Sequence, residues 1–193
     1  MTERYFISDT HFGHANILHF PGLYGIGVRP GFTAVEEMNE IMIERWNAVV
    51  GENDKIYHLG DCCMGGIKTV ETILPRLKGK KRLILGNHDN VIGHQLWRFF
   101  DKIVVSQKFE EMGRKFLATH IPVHDTSIDK AGVEFCVHGH LHEKPDVSPY
   151  HLNISVEQTD YAPIHILEIM RRMEFKRQPS YIRHTEVVAR KKE

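Results

Sequence analysis

The chain has 193 residues, a length that suits one domain with a core large enough to fold without disulfide staples. Lys plus Arg and Asp plus Glu are equal at 25 each, so no global charge indicates nucleic acid or an anionic membrane as an obligatory partner. No window approaches the roughly 20 apolar residues of a membrane helix, and the first residues have no apolar signal core, so we expect no membrane partner.

The cysteines and the histidines indicate the cellular compartment of the protein and a possible metal site. The three cysteines, Cys62, Cys63 and Cys136, are odd in number and two are neighbours, which is typical of a reducing compartment and favours a cytoplasmic location. The 14 histidines are unusual and indicate that a metal site is worth seeking.

Five short apolar runs, taken in chain order, end in polar residues. They are "RYFIS", "KIYHLG", "RLILG", "RKFLAT" and "EFCVHG", and they lead respectively into Asp9-Thr10-His11, Asp61, Asn87-His88-Asp89, His120 and His140-Leu141-His142. Each run predicts a buried strand that presents polar groups at its carboxyl end. A further strand is predicted in "HLNISVEQ", residues 151–158.

Helical spacing separates these runs. The stretch 33–51 opens with a capping box from Thr33 to Glu36, closes at Gly51, and has a predicted core face of Val35, Met38, Met42, Trp46 and Val49. Residues 68–79 predict a second helix through Val70, Ile73, Leu74 and Leu77, with Pro75 as a bend or a boundary. Residues 91–100 are a shorter candidate, and the period of "PIHILEIMRRMEF" fits either a strand or a helix.

Strands that alternate with helices predict an α/β fold, in which ligands bind beyond the carboxyl ends of the strands. We assign residues 1–175 to one domain and 176–193 to a basic, partly ordered tail. The tail is either solvated or a contact for RNA or DNA.

The polar residues at the strand ends are a mixture of carboxylate, imidazole and amide, without a convincing thiolate pair. Such donors suit Mn, Fe or Zn. Seven or eight donors exceed the needs of one tetrahedral ion and indicate two ions about 3.5–4 Å apart that share a carboxylate. For "VHGHLH", residues 137–142, a solvated strand face is the alternative to ligation, because its histidines repeat with the strand period.

These residues resemble the motifs of the calcineurin-like metallophosphoesterases, in their usual order. The motifs are "DTH" at 9–11, "GD" at 60–61, "GNHD" at 86–89, the lone His120, and "GHLH" at 139–142. The stretches "YFISDTHFGHANIL", "YHLGD" and "NISVEQTDYAPI" are also similar to a small bacterial and phage single-domain subgroup. The resemblance implies a four-layer α-β-β-α sandwich with a dinuclear site at the carboxyl ends of the strands.

The resemblance also implies a role for each motif residue. Asp9, His11 and His142 would hold the first ion, Asn87, His120 and His140 the second, and Asp61 would bridge both. His88 would assist the transition state or the leaving group instead of binding metal, and Asp89 would orient its imidazole. Gly139 would let the backbone approach closely, and His138 would support the loop.

The implied function is a metal-dependent phosphoric ester hydrolase, a phosphatase or phosphodiesterase in which a metal-bridging hydroxide attacks the ester. Two divalent ions, Mn, Fe or Zn, are the expected cofactors, and Mn is the one expected to support activity. The substrate is a phosphate ester, with nucleotide and nucleic-acid-derived esters among the candidates. The alternative is a catalytically silent metal-binding scaffold of the same fold that serves protein interaction.

Three further positions have two interpretations each. His14 either contacts substrate or makes a structural hydrogen bond, and Arg29 either clamps a phosphate or lies in water on a loop. The pair Cys62 and Cys63 either packs in the core or is sensitive to redox change near the metals.

Overall fold

The structure is a computed structural model that describes residues 2–89 and 93–177. Its first sheet contains β1 (Arg4–Ile7), β2 (Lys55–His58), β3 (Lys80–Ile84), β4 (Lys102–Val104) and β9 (Ile164–His165). The strand order is β4-β3-β2-β1-β9, with β1 to β4 parallel and β9 antiparallel to β1.

The second sheet contains β5 (Ser106–Glu111), β6 (Arg114–Thr119), β7 (Phe135–His138) and β8 (His151–Asn153), in that spatial order. β5 and β6 form an antiparallel hairpin, whereas β6, β7 and β8 are parallel. The hairpin turns at Met112 and Gly113, whose φ angles of 52° and 73° are those of the two-residue turn that matches strand twist.

The described part contains five α-helices: α1 (Val35–Val49), α2 (Gly66–Ile73), α3 (Gly93–Leu96) and α4 (Asp125–Ala131), which lie between strands in the chain, and α5 (Ile166–Lys176), which follows β9. Pro75 lies where α2 passes into a 3-10 turn, Leu74–Arg76, which confirms the predicted boundary. Within the described part of the chain, no helix combines the length and apolar character that crossing a membrane requires.

Three buried clusters define four layers. The first cluster packs α1 and α2 on one face of the first sheet, through residues such as Met38, Met42 and Trp46. The second lies between the two sheets and includes a stack of aromatic rings, with Phe109 and Phe116 at 5.1 Å between centroids. The third packs α4 on the outer face of the second sheet through Ile128. The predicted α-β-β-α sandwich is therefore confirmed.

Some local predictions were wrong in detail. Thr33 bonds to the Glu37 carboxylate and not to Glu36, because the helix begins at Val35, one residue later than the capping box requires. Val49, predicted to face the core, is 41 % exposed and is the last residue of the helix.

The C-terminal part of the described chain is both strand and helix. β9 ends at His165 and α5 follows without a gap, so both interpretations of this stretch hold for part of it. α5 continues through Lys176, the first residue of the predicted tail. Residues 178–193, and Val91 and Ile92 of the shorter helix candidate, lie outside the described residues.

Candidate metal centre

The five motifs converge because they follow neighbouring strands at the same edge of the two sheets. Asp9 and His11 follow β1, Asp61 follows β2, and Asn87 follows β3 in the first sheet; His120 follows β6, and His140 and His142 follow β7 in the second. Since parallel strands end side by side, residues far apart in sequence reach one place.

The backbone turns sharply at five of these residues. Asp9, His11, Asp61, His140 and His142 have φ angles of 58°, 47°, 57°, 68° and 52°, in the left-handed region that non-glycine residues rarely adopt. Such strain persists only where surrounding contacts enforce it, and it concentrates at functional sites. Here the left-handed backbone conformation directs side chains that are two residues apart in the sequence towards one cluster.

Close backbone contacts fix the loops relative to one another. The Asp9 N–H donates to Gly60 O at 3.0 Å, and the His11 N–H donates to Asp61 O at the same distance. A Cβ added at Gly139 would lie 2.2 Å from Asp9 Oδ2, which leaves no room for any other residue. The predicted close approach at Gly139 is confirmed.

Two groups of side chains have the spacing of metal ligands, with candidate ligand atoms within 4.8 Å of one another in each. The first group is Asp9, His11 and His142; Asp9 Oδ1 lies 3.9 Å from His11 Nε2 and 4.0 Å from His142 Nε2. These distances suit a cation between the atoms better than direct hydrogen bonds, which would be shorter than 3.5 Å.

The second group is Asp61, His120 and His140. Asp61 Oδ2 lies 3.3 Å from His120 Nε2 and also 3.6 Å from His11 Nε2 of the first group. Asn87 Oδ1 is 2.9 Å from His120 Nε2 and joins this group. One carboxylate oxygen therefore faces both groups.

Buried atoms without partners show that the first group suits a cation. Asp9 Oδ1 and both ring nitrogens of His11 are buried and have no hydrogen-bond partner among the described residues. Burial raises the pKa of Asp9 and lowers that of His11 to about 2. A divalent ion would supply the positive charge that the carboxylate lacks and would accept the lone pair of a neutral imidazole nitrogen.

His120 shows the same need in the second group. Its Nδ1 lies 2.8 Å from Leu59 O and its Nε2 lies between Asn87 Oδ1 and Asp61 Oδ2, so both nitrogens face oxygen atoms. Burial lowers the pKa of His120, but the hydrogen bond and charge of Asp61 outweigh burial and raise it to about 8. A metal ion can replace the proton on Nε2 while Nδ1–H still donates to Leu59.

His88 lies beside both groups but belongs to neither. Its side chain is exposed, and its ring centroid is 5.7 Å from that of His11. Its backbone N–H donates to Asp61 Oδ1 at 2.8 Å, so the loop is held independently of the imidazole.

Asp89 does not orient the His88 imidazole, contrary to the expectation. Its carboxylate accepts backbone N–H groups from Asp61 at 2.9 Å, Cys62 at 3.0 Å and Gly86 at 2.8 Å, and the His88 ring is not among its partners in the described chain. Asp89 is fully buried, and through these three hydrogen bonds both of its oxygens join the "GD" loop to the "GNHD" loop.

Both interpretations of Arg29 were wrong, because the side chain is fully buried and cannot reach a phosphate or water. Its Nη1 donates to Thr10 O at 2.9 Å and its Nη2 to Asp9 O at 2.5 Å. Its Nε donates to Glu157 Oε1 at 2.8 Å. The guanidinium lies against Met38 and out of solvent. The Glu157 carboxylate and the two backbone carbonyls accept its hydrogen bonds, which offsets the cost of burying its charge.

His14 lies at the border of the first group, with its ring 5.4 Å from that of His11 and 5.5 Å from that of Phe20. Its side chain is half-buried, its Nδ1 has no partner within the described chain, and burial lowers its pKa. No structural hydrogen bond of the His14 side chain is found among the described residues, so substrate contact stays a prediction.

The sequence reasoning missed three polar residues that support the centre. Ser155 Oγ lies 3.0 Å from Asp9 Oδ2 and accepts the His142 N–H at 3.2 Å, while Asn153 Nδ2 donates to His142 O at 2.9 Å. Glu157 Oε1 accepts from His142 Nδ1 at 3.1 Å. The available signal was the alternation of these three polar residues with apolar ones in "NISVE".

His138 and the two adjacent cysteines have structural roles. His138 supports the loop as expected, through Nδ1–H donating to Gly139 O at 2.8 Å. Cys62 and Cys63 are buried in the cluster between α1, α2 and the first sheet, which confirms the packing interpretation. All three cysteines are unpaired.

The fold is a two-sheet α/β sandwich with a candidate metal centre at the ends of its strands, and comparison with known proteins shows the family. The chain belongs to the calcineurin-like phosphoesterase family, whose model matches residues 4–178. It is similar to the uncharacterised protein MJ1445 of Methanocaldococcus jannaschii, with 35 % identity over 183 residues, 90 % of this chain and 93 % of that protein.

Two further relatives extend the comparison. The gene 66 protein of Mycobacterium phage L5 is 32 % identical over 115 residues, 53 % of this chain and 52 % of the phage protein. The crystal structure of the protein of unknown function AQ665 from Aquifex aeolicus has a TM-score of 0.73 and 27 % identity, and the match covers 89 % of this chain and 99 % of that one.

Proposed function

We propose that the protein hydrolyses phosphate esters, monoesters, diesters or both, with two divalent ions held at the candidate metal centre. The proposed ligands are Asp9, His11 and His142 for the first ion, Asn87, His120 and His140 for the second, and Asp61 for both. The observation that carries this proposal is Asp61 Oδ2, which faces His11 Nε2 at 3.6 Å and His120 Nε2 at 3.3 Å. A carboxylate oxygen that faces two ligand groups could hold two ions side by side, as a dinuclear centre would.

When bound, a pair of divalent ions neutralises phosphate oxygens and lowers the pKa of a water from about 15.7 toward neutrality. The chain supplies the rest. Asp9 and Asp61 provide negative charge at fixed positions, and the strained turns at these residues hold the donors before substrate arrives.

His88 is the proposed catalytic residue. Its exposed imidazole lies next to the first group, where it can protonate the leaving oxygen or donate a hydrogen bond to a phosphoryl oxygen. It has no ligand role, so it remains free to exchange a proton.

Manganese is the metal we propose for activity, because the donor set combines carboxylate, imidazole and amide oxygen without thiolate. Nucleotide and nucleic-acid-derived esters are the proposed substrate classes. We place the protein in the cytoplasm, a proposal supported by three cysteines that are buried and unpaired.

The test begins with protein made metal-free by a chelator and assayed on p-nitrophenyl phosphate and bis-p-nitrophenyl phosphate. Turnover is expected only after Mn, Fe(II) or Zn is restored. His88→Ala is expected to keep two ions per chain, because only the backbone of residue 88 contacts Asp61, and to lose about 10²–10⁴ in kcat.

A matched control is His124→Asn. His124 is exposed and its Nδ1 accepts the Thr126 N–H at the start of α4, a role that asparagine can take over, so this variant removes an imidazole away from the centre. Two tightly bound ions with no turnover of either ester would favour the silent scaffold over the enzyme. Equal loss of kcat in both variants would remove His88 from the catalytic role.

A further inference from the structure

The two ligand groups differ in what supports their histidines. In the first group, His142 Nδ1 lies 3.1 Å from the carboxylate of Glu157, whereas in the second, His120 Nδ1 lies 2.8 Å from the backbone carbonyl of Leu59. A carboxylate behind an imidazole raises its basicity more than a neutral carbonyl does, and it fixes the proton on Nδ1 so that Nε2 is free to bind a cation.

Glu157 is itself held by a buried ion pair. The side chains of Arg29 and Glu157 are 0 % and 3 % exposed, and the Arg29 Nε donates to the same Glu157 oxygen that faces His142. Arg29 also reaches the carbonyls of Thr10 and Asp9. The pair therefore connects the backbone of one first-group ligand to the ring of another.

The other imidazole of the first group, His11, has no such support within the described chain. Both nitrogens of His11 lack a hydrogen-bond partner among the described residues, so His142 is the imidazole of this group whose ring is fixed by a side chain. Neither Arg29 nor Glu157 has a hydrogen bond or ion pair to Asp61, His120 or His140 in the described chain.

We propose that the Arg29–Glu157 pair acts on the first ion alone and makes the two metal sites unequal, with the first ion held more tightly than the second. The inference rests on the proposed function, because it takes the two groups as metal sites. Glu157 is a positioning residue that acts through His142, and Arg29 sets the position of both Glu157 and the Asp9 loop.

The test is a titration of metal-free protein with Mn²⁺. Binding is monitored by calorimetry and by electron paramagnetic resonance of the bound ion. The unmodified protein is expected to bind two ions in two steps. Glu157→Gln keeps the shape and one acceptor oxygen but removes the charge, and it is expected to weaken the tighter step by about 10–100-fold while the other step stays unchanged.

Glu143→Gln is the matched control. Glu143 follows His142 directly, but its carboxylate accepts the Leu23 N–H at 3.2 Å and does not contact the His142 ring. The control is expected to retain both steps. If it weakens the tighter step as much as Glu157→Gln does, local loop charge and not the buried pair sets the affinity, and the proposal is overturned.

A second variant covers the case in which Glu157→Gln does not fold because Arg29 loses its countercharge. Arg29→Met with Glu157→Gln removes both charges together, and it is expected to fold and to show the same weakened step. Adding Asn87→Ala to Glu157→Gln shows which binding step belongs to the second ion. This change is expected to weaken the step of the second ion and to leave the step of the first ion as it is in Glu157→Gln.

The outcomes separate this inference from the proposed function. Two ions bound with unchanged steps in Glu157→Gln and in Arg29→Met with Glu157→Gln, or an equal loss at both steps, would overturn the unequal sites while leaving the dinuclear centre intact. An unmodified protein that binds no Mn²⁺ would instead refute the proposed function.

Discussion

Replacing Asp89 by asparagine is expected to destabilise the protein strongly although Asp89 touches neither candidate ligand side chains nor His88. Its buried carboxylate accepts three backbone N–H groups from the loops that carry Asp61 and Asn87. An asparagine offers one acceptor oxygen, so the amide nitrogen must face at least one N–H donor that then has no partner.

The size of the effect follows from burial. A hydrogen bond to a charged group is worth about 1.5–3 kcal/mol, and a buried donor left unpaired costs about 1–3 kcal/mol. With one bond lost and the others weakened by removal of the charge, we expect the free energy of unfolding to fall by about 3 kcal/mol. For a chain of this size, the melting temperature falls by about 10 °C.

Urea and thermal unfolding of metal-free protein measure this change. Asp54→Asn is the matched control, because the Asp54 carboxylate also accepts two backbone N–H groups, from Glu3 at 3.0 Å and Gly51 at 2.9 Å, but at an exposed position where water can replace it. It is expected to cost less than about 1 kcal/mol. If Asp89→Asn costs no more than the control but lowers kcat, Asp89 acts on His88 and the loop-joining role is refuted.

Three further outcomes are expected. Asp61→Ala should lose both ions, since its Oδ2 faces both groups, and retention of two ions by elemental analysis would contradict the shared carboxylate. Gly139→Ala should disturb the first group, because its Cβ would lie 2.2 Å from Asp9 Oδ2, whereas Gly31→Ala, with open space around it, should bind metal normally. The raised pKa of His120, about 8, means that its ring is protonated at pH 7 in metal-free protein, so metal must displace a proton. Affinity should therefore rise with pH up to about 8 and then level off, with proton release visible by calorimetry in buffers of different ionisation enthalpy; affinity independent of pH from 6 to 8 would exclude this.

The strands that carry the motifs could be predicted because their signal is local. β1, β2 and β3 are short apolar runs, and each passes directly into polar residues. β5, with the sequence "SQKFEE", was not predicted because one buried residue, Phe109, faces the core and the remainder is half-exposed or exposed. Its place at the edge of the second sheet comes from pairing with β6, which is a contact between segments.

Polar residues that act through other polar residues could not be assigned in this way. Arg29 reads as a loop residue between Gly27 and Pro30, and nothing near it in sequence reveals that Glu157, 128 positions away, will pair with it. Asp89 stands next to His88 in the chain, yet its carboxylate turns away to the backbone of another loop.

The sequence by itself determined the fold class and the residue types available for metal chemistry, because apolar periodicity and the order of the motifs are properties of the chain alone. The tertiary structure decided which buried charged side chains hold the ligand loops in place and which of them contact a ligand side chain. The physical reason is that a buried charge must find partners wherever the fold brings them, and the partners of Arg29, Glu157 and Asp89 come from strands and loops that meet only after the two sheets have packed.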